Sequence, residues 1–497
     1  MSYMGLEGEV VDAGVHASTV QYFRDAGIRL PTFDELADPD LIPSEIVQSL
    51  SSVDPDAPDP ANLFRVHWQN SRDRIGRVSR AEHVVLPSSL TGVPAQIVVM
   101  LGDCFPMIQA HKVLAAYACL APRVITGQFD PVVHKAIWPS TGNYCRGGVA
   151  ISRIMGCHGV AVLPEGMSRE RFQWLEDWVL DPDDIVRTPG RESNVKEIYD
   201  KCDELSASSE HVIFNQFSEF GNYLAHFLCT GRAAEKVFED LAVESPELRL
   251  KAFVAATGSA GTIAAGDYLK EKHGSMIVAA EALECPTLLC NGFGEHNIQG
   301  IGDKHVPFIH NVMNTDIVTA ISDRSTDALG VLFSSSAGLE HLASQGVDTG
   351  TLDQLGHFGL SSICNILASI KTARTLDLGE SDVVITVATD GAGMYGSERE
   401  KAMARDYPAG FDTEVARAVW ETHLQNVDVD NLLLLTERQR ERIFNLGYFT
   451  WVEQRSVPLE DFVSRRDQEF WKGLRGAIHE WNRLIEDFNR ETGLSSG

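Results

Sequence analysis

The feature that most constrains this chain is an alternation of short β-branched runs with longer amphipathic segments, which extends from about residue 84 to residue 390. Strands that alternate with helices of about ten residues or more indicate βαβ units and a mostly parallel sheet. We therefore expect an α/β fold over this region. The predicted strands are 97–101, 160–163, 211–215, 252–256, 275–280 and 383–388, and the predicted helices are 111–120, 145–155, 169–179, 195–205, 221–241 and 261–272.

The two ends of the chain depart from this alternation. Residues 1–80 are rich in Asp, Pro and Ser, and they predict an N-terminal extension that wraps the core. Residues 397–497 carry no strand pattern and predict a helical C-terminal extension. This tail contains Trp420, Trp451, Trp471 and Trp481, half of the eight Trp of the chain. So many large aromatic side chains predict docking on the core or on a second subunit.

The charge of the chain limits its partners. The sequence has 42 Lys and Arg against 70 Asp and Glu, a formal net charge of −28. Such a surface repels phosphate backbones and anionic lipids, so we expect neither nucleic acid nor a membrane as partner. The nine Cys form no C-x-x-C pair, and residues 1–11 contain no Lys or Arg. Reduced thiols and the missing features of a secretory signal predict a cytoplasmic location.

A run of small residues follows the predicted strand 252–256 and precedes a helix. It consists of Gly258, Ser259, Ala260, Gly261 and Thr262. Backbone N–H groups in such a run can close around an anion, and the helix N-terminus adds a partial positive charge. The run therefore predicts a phosphate site. A tight strand-to-helix turn without a ligand explains the same residues.

A second polar segment, Ser140, Thr141, Gly142 and Asn143, lies between a further predicted strand, 136–138, and the helix that starts near residue 145. Hydroxyl, amide and N–H groups at a helix start can hold a carboxylate or the edge of a polar ring. A plain helix cap is the alternative. Arg146 follows; if it points inward it can bind a second carboxylate or phosphate of a substrate, and if outward it belongs to the surface.

Lys112 stands among apolar helix-forming residues. A lysine in such a position can extend its amine to water along the helix surface. If the amine is buried instead, its pKa falls and it can form a Schiff base with a carbonyl compound.

The order and spacing of these segments resemble the pyridoxal-phosphate enzymes of the cysteine synthase and tryptophan synthase β family, which have fold type II. Lys112 stands at the place of that family's Schiff-base lysine, and residues 140–143 resemble its substrate-carboxylate loop. Further similar segments are 162–168 ("P-E-x-M-S"), 215–217 with Asn222, His226, Thr230 and Gly231 ("N-Q-F…N…H…T-G"), the phosphate cup at 258–262, and 296–302.

The resemblance implies a two-lobed enzyme with pyridoxal 5'-phosphate (PLP) between the lobes. A large cofactor-binding domain would comprise 81–144 and 241–396, and a small mobile domain 145–240. Lys112 would carry PLP as a Schiff base and act as general base. By the same resemblance, Asn143 would contact the ring hydroxyl, Gly258 to Thr262 the phosphate, and Ser140, Thr141, Gly142 and Gln216 the substrate carboxylate. No metal is expected.

This chain departs from the family pattern in the segment that contacts the pyridine nitrogen of PLP. Cysteine synthases supply a serine there from a "P-D-S-G" segment, whereas this chain has Thr389, Asp390, Gly391 and Ala392. Thr389 or Asp390 would replace that serine; a carboxylate keeps the ring nitrogen protonated, whereas a hydroxyl does not. Asp390 as a simple turn residue is the alternative.

The implied reaction is an amino-acid lyase or β-replacement reaction through an aminoacrylate. The run 124–131 and the Trp-rich tail resemble a distinct branch near diaminopropionate ammonia-lyase and the β subunit of 2-amino-4-oxopentanoate thiolase. Thiolase-type cleavage of a 2-amino-4-oxo acid with coenzyme A is therefore an alternative, and a non-catalytic scaffold or regulatory subunit is another. We expect an amino-acid substrate and a homodimer.

Overall fold

The computed structural model describes residues 4–302 and 304–494. Its strands are β1 (His83–Leu86), β2 (Gln96–Leu101), β3 (Lys135–Pro139), β4 (His158–Pro164), β5 (Ile185–Thr188), β6 (His211–Ile213), β7 (Arg249–Ala256), β8 (Met276–Ala282), β9 (Ile317–Ile321), β10 (Asp382–Ala388) and β11 (Leu432–Leu434). All seven predicted strands are present, including 136–138, which corresponds to β3. The strands β1, β5, β9 and β11 were not predicted.

The strands form two sheets. The larger sheet has the order β1-β2-β10-β7-β8-β9-β11, and the smaller one has the order β5-β4-β3-β6. The pairs within the smaller sheet and those from β2 to β9 in the larger one are parallel, whereas β1 and β11 pair antiparallel at the two edges. The predicted α/β fold with a parallel-rich sheet is confirmed.

Helices cover both sheets, which explains why central strands such as β2 and β10 are apolar almost throughout. The helices are α1 (Ala13–Ala26), α2 (Phe33–Ala37), α3 (Ser44–Leu50), α4 (Ser88–Thr91), α5 (Lys112–Ile125), α6 (Asn143–Ile154), α7 (Arg169–Trp178), α8 (Val195–Leu205), α9 (Phe220–Ala225), α10 (Gly231–Glu244), α11 (Ala264–His273), α12 (Thr287–Cys290), α13 (Asp323–Leu332), α14 (Ser336–Ser344), α15 (Thr349–Gln354), α16 (Leu360–Thr375), α17 (Gly396–Asp406), α18 (Thr413–Trp420), α19 (Glu437–Tyr448), α20 (Leu459–Ser464), α21 (Gln468–Leu474) and α22 (Gly476–Thr492).

The smaller sheet includes residues that the sequence analysis placed in the large domain. Strand β3 begins at Lys135 and pairs with both β4 and β6. Residues 135–139 therefore go with the smaller sheet, ahead of the expected boundary at 145. We propose on this basis that the smaller lobe starts before Lys135.

The C-terminal tail docks on the core of its own chain. Its four Trp are all buried, and α22 packs against α1, α2 and α5. Asn489 holds the backbone of Leu30 from both sides: its Oδ1 accepts from Leu30 N at 3.0 Å, and its Nδ2 donates to Leu30 O at 2.8 Å. The expectation that residues 397–497 contain no strand was wrong, because β11 adds a strand to the larger sheet beside β9. Three residues are too short to show a strand period.

In the described part of the chain, no helix has both the length and the apolarity to cross a membrane.

Replacing Trp481 by Ala tests the docking of the tail. Trp481 is fully buried against Phe33, and its Nε1 donates to Glu7 O at 2.9 Å. We expect the free energy of unfolding to fall by about 3–5 kcal/mol, because the change leaves a cavity in the core. Urea titration measures it. Arg483→Ala on the exposed face of α22 is the control and should change stability by less than about 0.5 kcal/mol. Equal stabilities of the two variants would contradict the docking.

Candidate active site

Two adjoining cavities lie where β3, β7 and β10 end, the edge at which ligands bind in parallel α/β sheets. The first is lined by Lys112, Ser140, Thr141, Asn143, Glu192, Gln216, Phe217, Gly258, Ser259, Gly300, Ile301 and Thr389. The second is lined by Lys112, Ala255, Ala256, Gly258, Ala260, Gly261, Thr262, Gly300, Ile301, Ser361, Asn365, Val387 and Thr389. Because five residues are common to both, the cavities form one continuous candidate site.

The run after β7, residues 258–263, has the geometry of an anion nest and is called the nest below. The backbone N–H groups of residues 258–263 donate to no acceptor in the described part of the chain, although most of these residues are buried. Ala260 has a φ of 63°, which turns the chain around the cavity. A Cβ on Gly261 would lie 2.1 Å from Asn222 Oδ1, so only glycine fits there. Free N–H groups at the start of a helix suit a phosphate.

Lys112 is the first residue of α5 and is buried, with 9% of its surface exposed. Its Nζ donates to Ser259 Oγ at 3.2 Å, and the same oxygen accepts from Asn222 Nδ2 at 3.0 Å. The amine therefore lies beside the nest and does not extend to the protein surface. Of the two interpretations of this lysine, the structure supports the buried one.

Two buried histidine rings lie close to Lys112. Burial and the nearby charge of Lys112 together lower the pKa of His111 to about 3. Burial and the neighbouring His111 hold the pKa of His226 well below its usual value. Both rings are therefore neutral at physiological pH, and neither adds a second cation beside Lys112.

The segment after β3 lines the opposite wall of the cavity. Ser140 Oγ accepts from the backbone N–H of Gly142 at 3.1 Å. Gly142 has a φ of 155°, and a Cβ there would lie 2.6 Å from Arg171 Nε. A side chain at this position would push Arg171 away, so the loop requires glycine. Ser140, Thr141 and Asn143 are thereby brought to the same cavity as Gln216 and Lys112.

A buried polar network supports this wall from behind. Asn143 Nδ2 donates to Asp390 Oδ2 at 2.7 Å, and Tyr395 donates to the same oxygen at 2.8 Å. Arg171 lies 3.6 Å from this carboxylate, and both side chains are fully buried. Arg146 Nη1 donates to Asn143 Oδ1 at 3.1 Å. With a cation on its oxygen and a carboxylate on its nitrogen, the orientation of the Asn143 amide is fixed.

The charges in this network change one another's pKa. Burial raises the pKa of Asp390, although Arg171 and the hydrogen bond from Asn143 lower it. Burial and the charge of Arg171 lower the pKa of Arg146 to about 10. Burial acts to lower the pKa of Arg171 as well, but Tyr395 and Asp390 raise it overall. Arg171 is thus the cation that compensates the buried carboxylate.

Not every predicted site residue lines the cavity. Thr389 lines both parts, whereas Asp390 lies behind Asn143 and reaches neither. Arg146 points inward, but its Nη2 donates to Ile108 O at 2.9 Å and its guanidinium lies over Trp174. It is occupied by protein groups and lines neither part. Asp390 and Arg146 therefore act on the site through Asn143.

Three polar residues of the cavity were not predicted: Glu192, Ser361 and Asn365, the last of which is bonded to the backbone of Ala256 and Val387. Glu192 lies between β5 and α8, and Ser361 lies in the first turn of α16. The Ser361 hydroxyl is buried and has no hydrogen-bond partner among the described residues. None of them belongs to a motif: a Glu after a Pro-Gly turn is typical of a surface loop, and a helical Ser or Asn carries no signal of its own.

A buried lysine beside an anion nest, at the strand ends of a two-sheet α/β fold, is typical of the class of fold type II PLP enzymes. No family model matches the chain. Cysteine synthase B of Campylobacter jejuni is 31% identical over 254 residues, which are 50% of this chain and 74% of that protein. A cysteine synthase of Staphylococcus aureus is 28% identical over 259 residues, 52% of this chain and 74% of that protein. The chain belongs to the cysteine synthase family.

Solved structures show the same fold. The O-acetylserine-dependent cystathionine β-synthase of Helicobacter pylori is 22% identical, with a TM-score of 0.52 over 64% of this chain and 95% of that one. A hydrogen-sulfide-producing enzyme of Fusobacterium nucleatum is 21% identical, with a TM-score of 0.52 over 63% of this chain and 96% of that one. About a third of this chain therefore lies outside the part that these structures match.

Enzymes of this family use PLP, and the residues present fit that group. The free N–H groups of residues 258–263 match a phosphate, and the amine of Lys112 matches an aldehyde. The hydroxyl of Thr389, which lines both parts of the cavity, can face a ring nitrogen. Asn143 retains a second N–H beside the one bonded to Asp390, and it can donate to a ring oxygen.

Replacing Arg171 by Met tests the buried network. The change leaves the Asp390 carboxyl buried without its cation, so we expect the free energy of unfolding at neutral pH to fall by about 3–5 kcal/mol. The loss should shrink as the pH is lowered, because a protonated Asp390 needs no cation. Urea titrations at several pH values measure both effects.

Arg169→Met is the matched control, because Arg169 lies on the same helix with its side chain 59% exposed. Adding Asp390→Asn to Arg171→Met should recover part of the lost stability. A pH-independent loss, or no recovery in the double variant, would contradict the role given to this ion pair.

Proposed function

We propose that this chain is a PLP-dependent enzyme that acts on an amino acid with a leaving group on Cβ, by elimination or by replacement with a second nucleophile. The observation that carries the proposal is the position of Lys112, whose Nζ lies 3.2 Å from Ser259 Oγ beside the free N–H groups of the nest. Membership of the cysteine synthase family supports the same reaction class.

The roles that we propose follow from what each residue offers the cavity. Residues 258–263 bind the cofactor phosphate, Lys112 holds the cofactor covalently through Nζ, and Thr389 faces its ring nitrogen. PLP, when bound, withdraws electrons from the substrate and so weakens the bonds at its Cα. A hydroxyl at Thr389 leaves the ring nitrogen unprotonated, whereas a carboxylate would protonate it. The placement of Asp390 behind Asn143 favours the hydroxyl.

Lys112 is also the proposed general base. Its amine is the one basic group that lines both parts of the cavity in the described chain, and it can remove the Cα proton of the substrate. Ser140, Thr141 and Gln216 line the first part and offer donors to the substrate carboxylate. The site is buried, which excludes bulk water and strengthens each of these polar contacts.

We further propose that the chain lies on the branch near diaminopropionate ammonia-lyase and the thiolase β subunit. The proposal rests on the resemblance of the run 124–131 to that branch; in the structure this run contacts the N-terminal extension, where Val11 N donates to Thr126 O at 2.8 Å. A Cβ on Gly127 would lie 2.2 Å from Asp12 O, so the two segments are in close contact. Which amino acid is used is tested by a substrate panel that includes O-acetylserine with sulfide and 2,3-diaminopropionate.

A homodimer is part of the same proposal. The buried tail Trp side chains no longer support it, but exposed apolar residues such as Val132 and Val133 do. Sedimentation at several protein concentrations measures the state, and a monomer throughout would contradict the dimer.

Replacing Lys112 by Ala tests the proposed chemistry. The wild-type protein should show visible absorption with PLP, and borohydride reduction followed by peptide mass spectrometry should locate the cofactor on Lys112. In the variant both signals should be lost, and turnover should fall by about 10²- to 10⁴-fold, because the general base is missing. Lys196→Ala, at a lysine that is 80% exposed, is the control. Unchanged activity in Lys112→Ala would favour the non-catalytic scaffold.

A further inference from the structure

The first part of the cavity contains a carboxyl group that the proposed chemistry does not use. Glu192 is 1% exposed, and it and Lys112 are the two charged side chains that line this part among the described residues. The hydroxyl of Thr141 makes a hydrogen bond with Glu192 Oε1. The second oxygen, Oε2, is buried and completes no hydrogen bond of ordinary geometry in the described part of the chain. A buried carboxylate in this state is costly unless it is protonated or finds a donor.

The groups around Glu192 shift its pKa in opposite directions. Burial raises the pKa of Glu192 to about 7, while the charge of Arg171, the bond with Thr141 and the N–H of Gly300 lower it less strongly. The carboxyl of Asp390 raises it further. Burial holds the pKa of Tyr395 well above its usual range and the charge of Glu192 raises it further, so Tyr395 stays neutral. A small change in the surroundings is therefore enough to protonate or to ionise Glu192 near neutral pH.

The direction of one hydrogen bond depends on this proton. A hydroxyl has a single hydrogen to donate. When Glu192 is ionised, Thr141 must donate to it and has no hydrogen left for a ligand. When Glu192 is protonated, it donates to Thr141 Oγ1, and the hydrogen of Thr141 is free to point into the cavity. Thr141 is one of the proposed donors to the substrate carboxylate.

A bound substrate favours the protonated form. A second carboxylate near Glu192 repels its negative charge, and two carboxyl groups that share a site raise each other's pKa. Substrate binding to the ionised protein therefore takes up one proton from solvent, which ends on Glu192.

We propose that Glu192 is a positioning residue that binds a proton together with the substrate carboxylate and turns the Thr141 hydroxyl toward that carboxylate. This inference rests on the proposed function, because it needs an amino-acid substrate in the cavity. It adds that the substrate must present a carboxylate at the Thr141 end of the cavity, and that binding is coupled to pH through a residue outside the sequence motifs.

The pH dependence has a definite sign. Well below a pH of about 7 Glu192 is already protonated, so this group should not make the substrate dissociation constant depend on pH. Above that pH, binding must protonate Glu192, so the dissociation constant should rise by up to about tenfold for each pH unit. The rate of turnover at saturating substrate should change much less, because Glu192 does not touch the reacting atoms.

Proton uptake on binding is the decisive measurement. Calorimetric titration of the PLP-loaded protein with L-alanine, which has no leaving group on Cβ, is carried out near pH 8 in buffers of different ionisation enthalpy. Glu192→Gln keeps a donor to Thr141 but cannot ionise. On binding L-alanine, the wild-type protein should take up close to one proton more than Glu192→Gln. The affinity of the variant for L-alanine should lack the pH dependence that ionisation of Glu192 causes in the wild-type protein. Protons exchanged by the amine are common to both proteins and cancel in the difference.

Two further variants separate positioning from folding. Thr141→Val removes the hydroxyl, so it should weaken binding of L-alanine. In the Thr141→Val background, adding Glu192→Gln should no longer change the affinity. Thr141→Ser should restore both the binding and the effect of Glu192→Gln. Glu176→Gln, at a glutamate that is 58% exposed, is the control and should behave as wild type.

Equal proton uptake by wild type and Glu192→Gln, or parallel pH profiles of their dissociation constants, would overturn the inference. This failure is distinct from failure of the proposed function. If the wild-type protein shows no visible absorption with PLP, the proposed function is wrong. If both proteins show the absorption and bind L-alanine with the same pH dependence, only the role of Glu192 is wrong.

Discussion

The buried ion pair between Arg171 and Asp390 is the interaction on which the rest of the site depends. Asp390 follows β10 of the larger sheet, and Arg171 belongs to α7, which follows β4 of the smaller one. The pair therefore links the two sheets behind one wall of the cavity. Its carboxylate also orients Asn143, and its guanidinium lies against Gly142. A charge pair this deep is stable only because Tyr395 and Gln299 supply further hydrogen bonds to it.

Around this pair the cavity keeps few free charges. The histidines near Lys112 are held neutral by burial, and Arg146 is bound to Asn143 and to a backbone carbonyl. The nest offers N–H dipoles to a phosphate in place of side-chain cations. Glu192 is the remaining acidic group that lines the described cavity, and its protonation sets whether Thr141 can donate to a ligand. In a buried site of this kind the local dielectric constant is low, so the position of each proton strongly affects the strength of the polar contacts.

Much of the fold could be predicted because its signals are local. Strands such as β7 and β10 are buried on both faces and read as continuous apolar runs, and the helix after each is long enough to show its period. The edge strands β5 and β11 are short and half exposed, so they lack that signal. The nest could be predicted for a comparable reason. Neighbouring groups leave no room for a Cβ at Gly258 or Gly261, so the sequence must have glycine there, and a run of small residues is recognisable in the sequence.

The sequence by itself determined the α/β alternation, the small-residue turns and the ordered series of motifs, because each depends on residues close together in the chain. Only the tertiary structure decided which side chains reach the cavity. Asp390 and Arg146 carry the right chemistry but are occupied by Asn143 and other protein groups, whereas Glu192 carries no motif and faces the site. Burial and hydrogen-bond partners arise from segments that are distant in sequence, and a one-dimensional pattern does not record which of them meet.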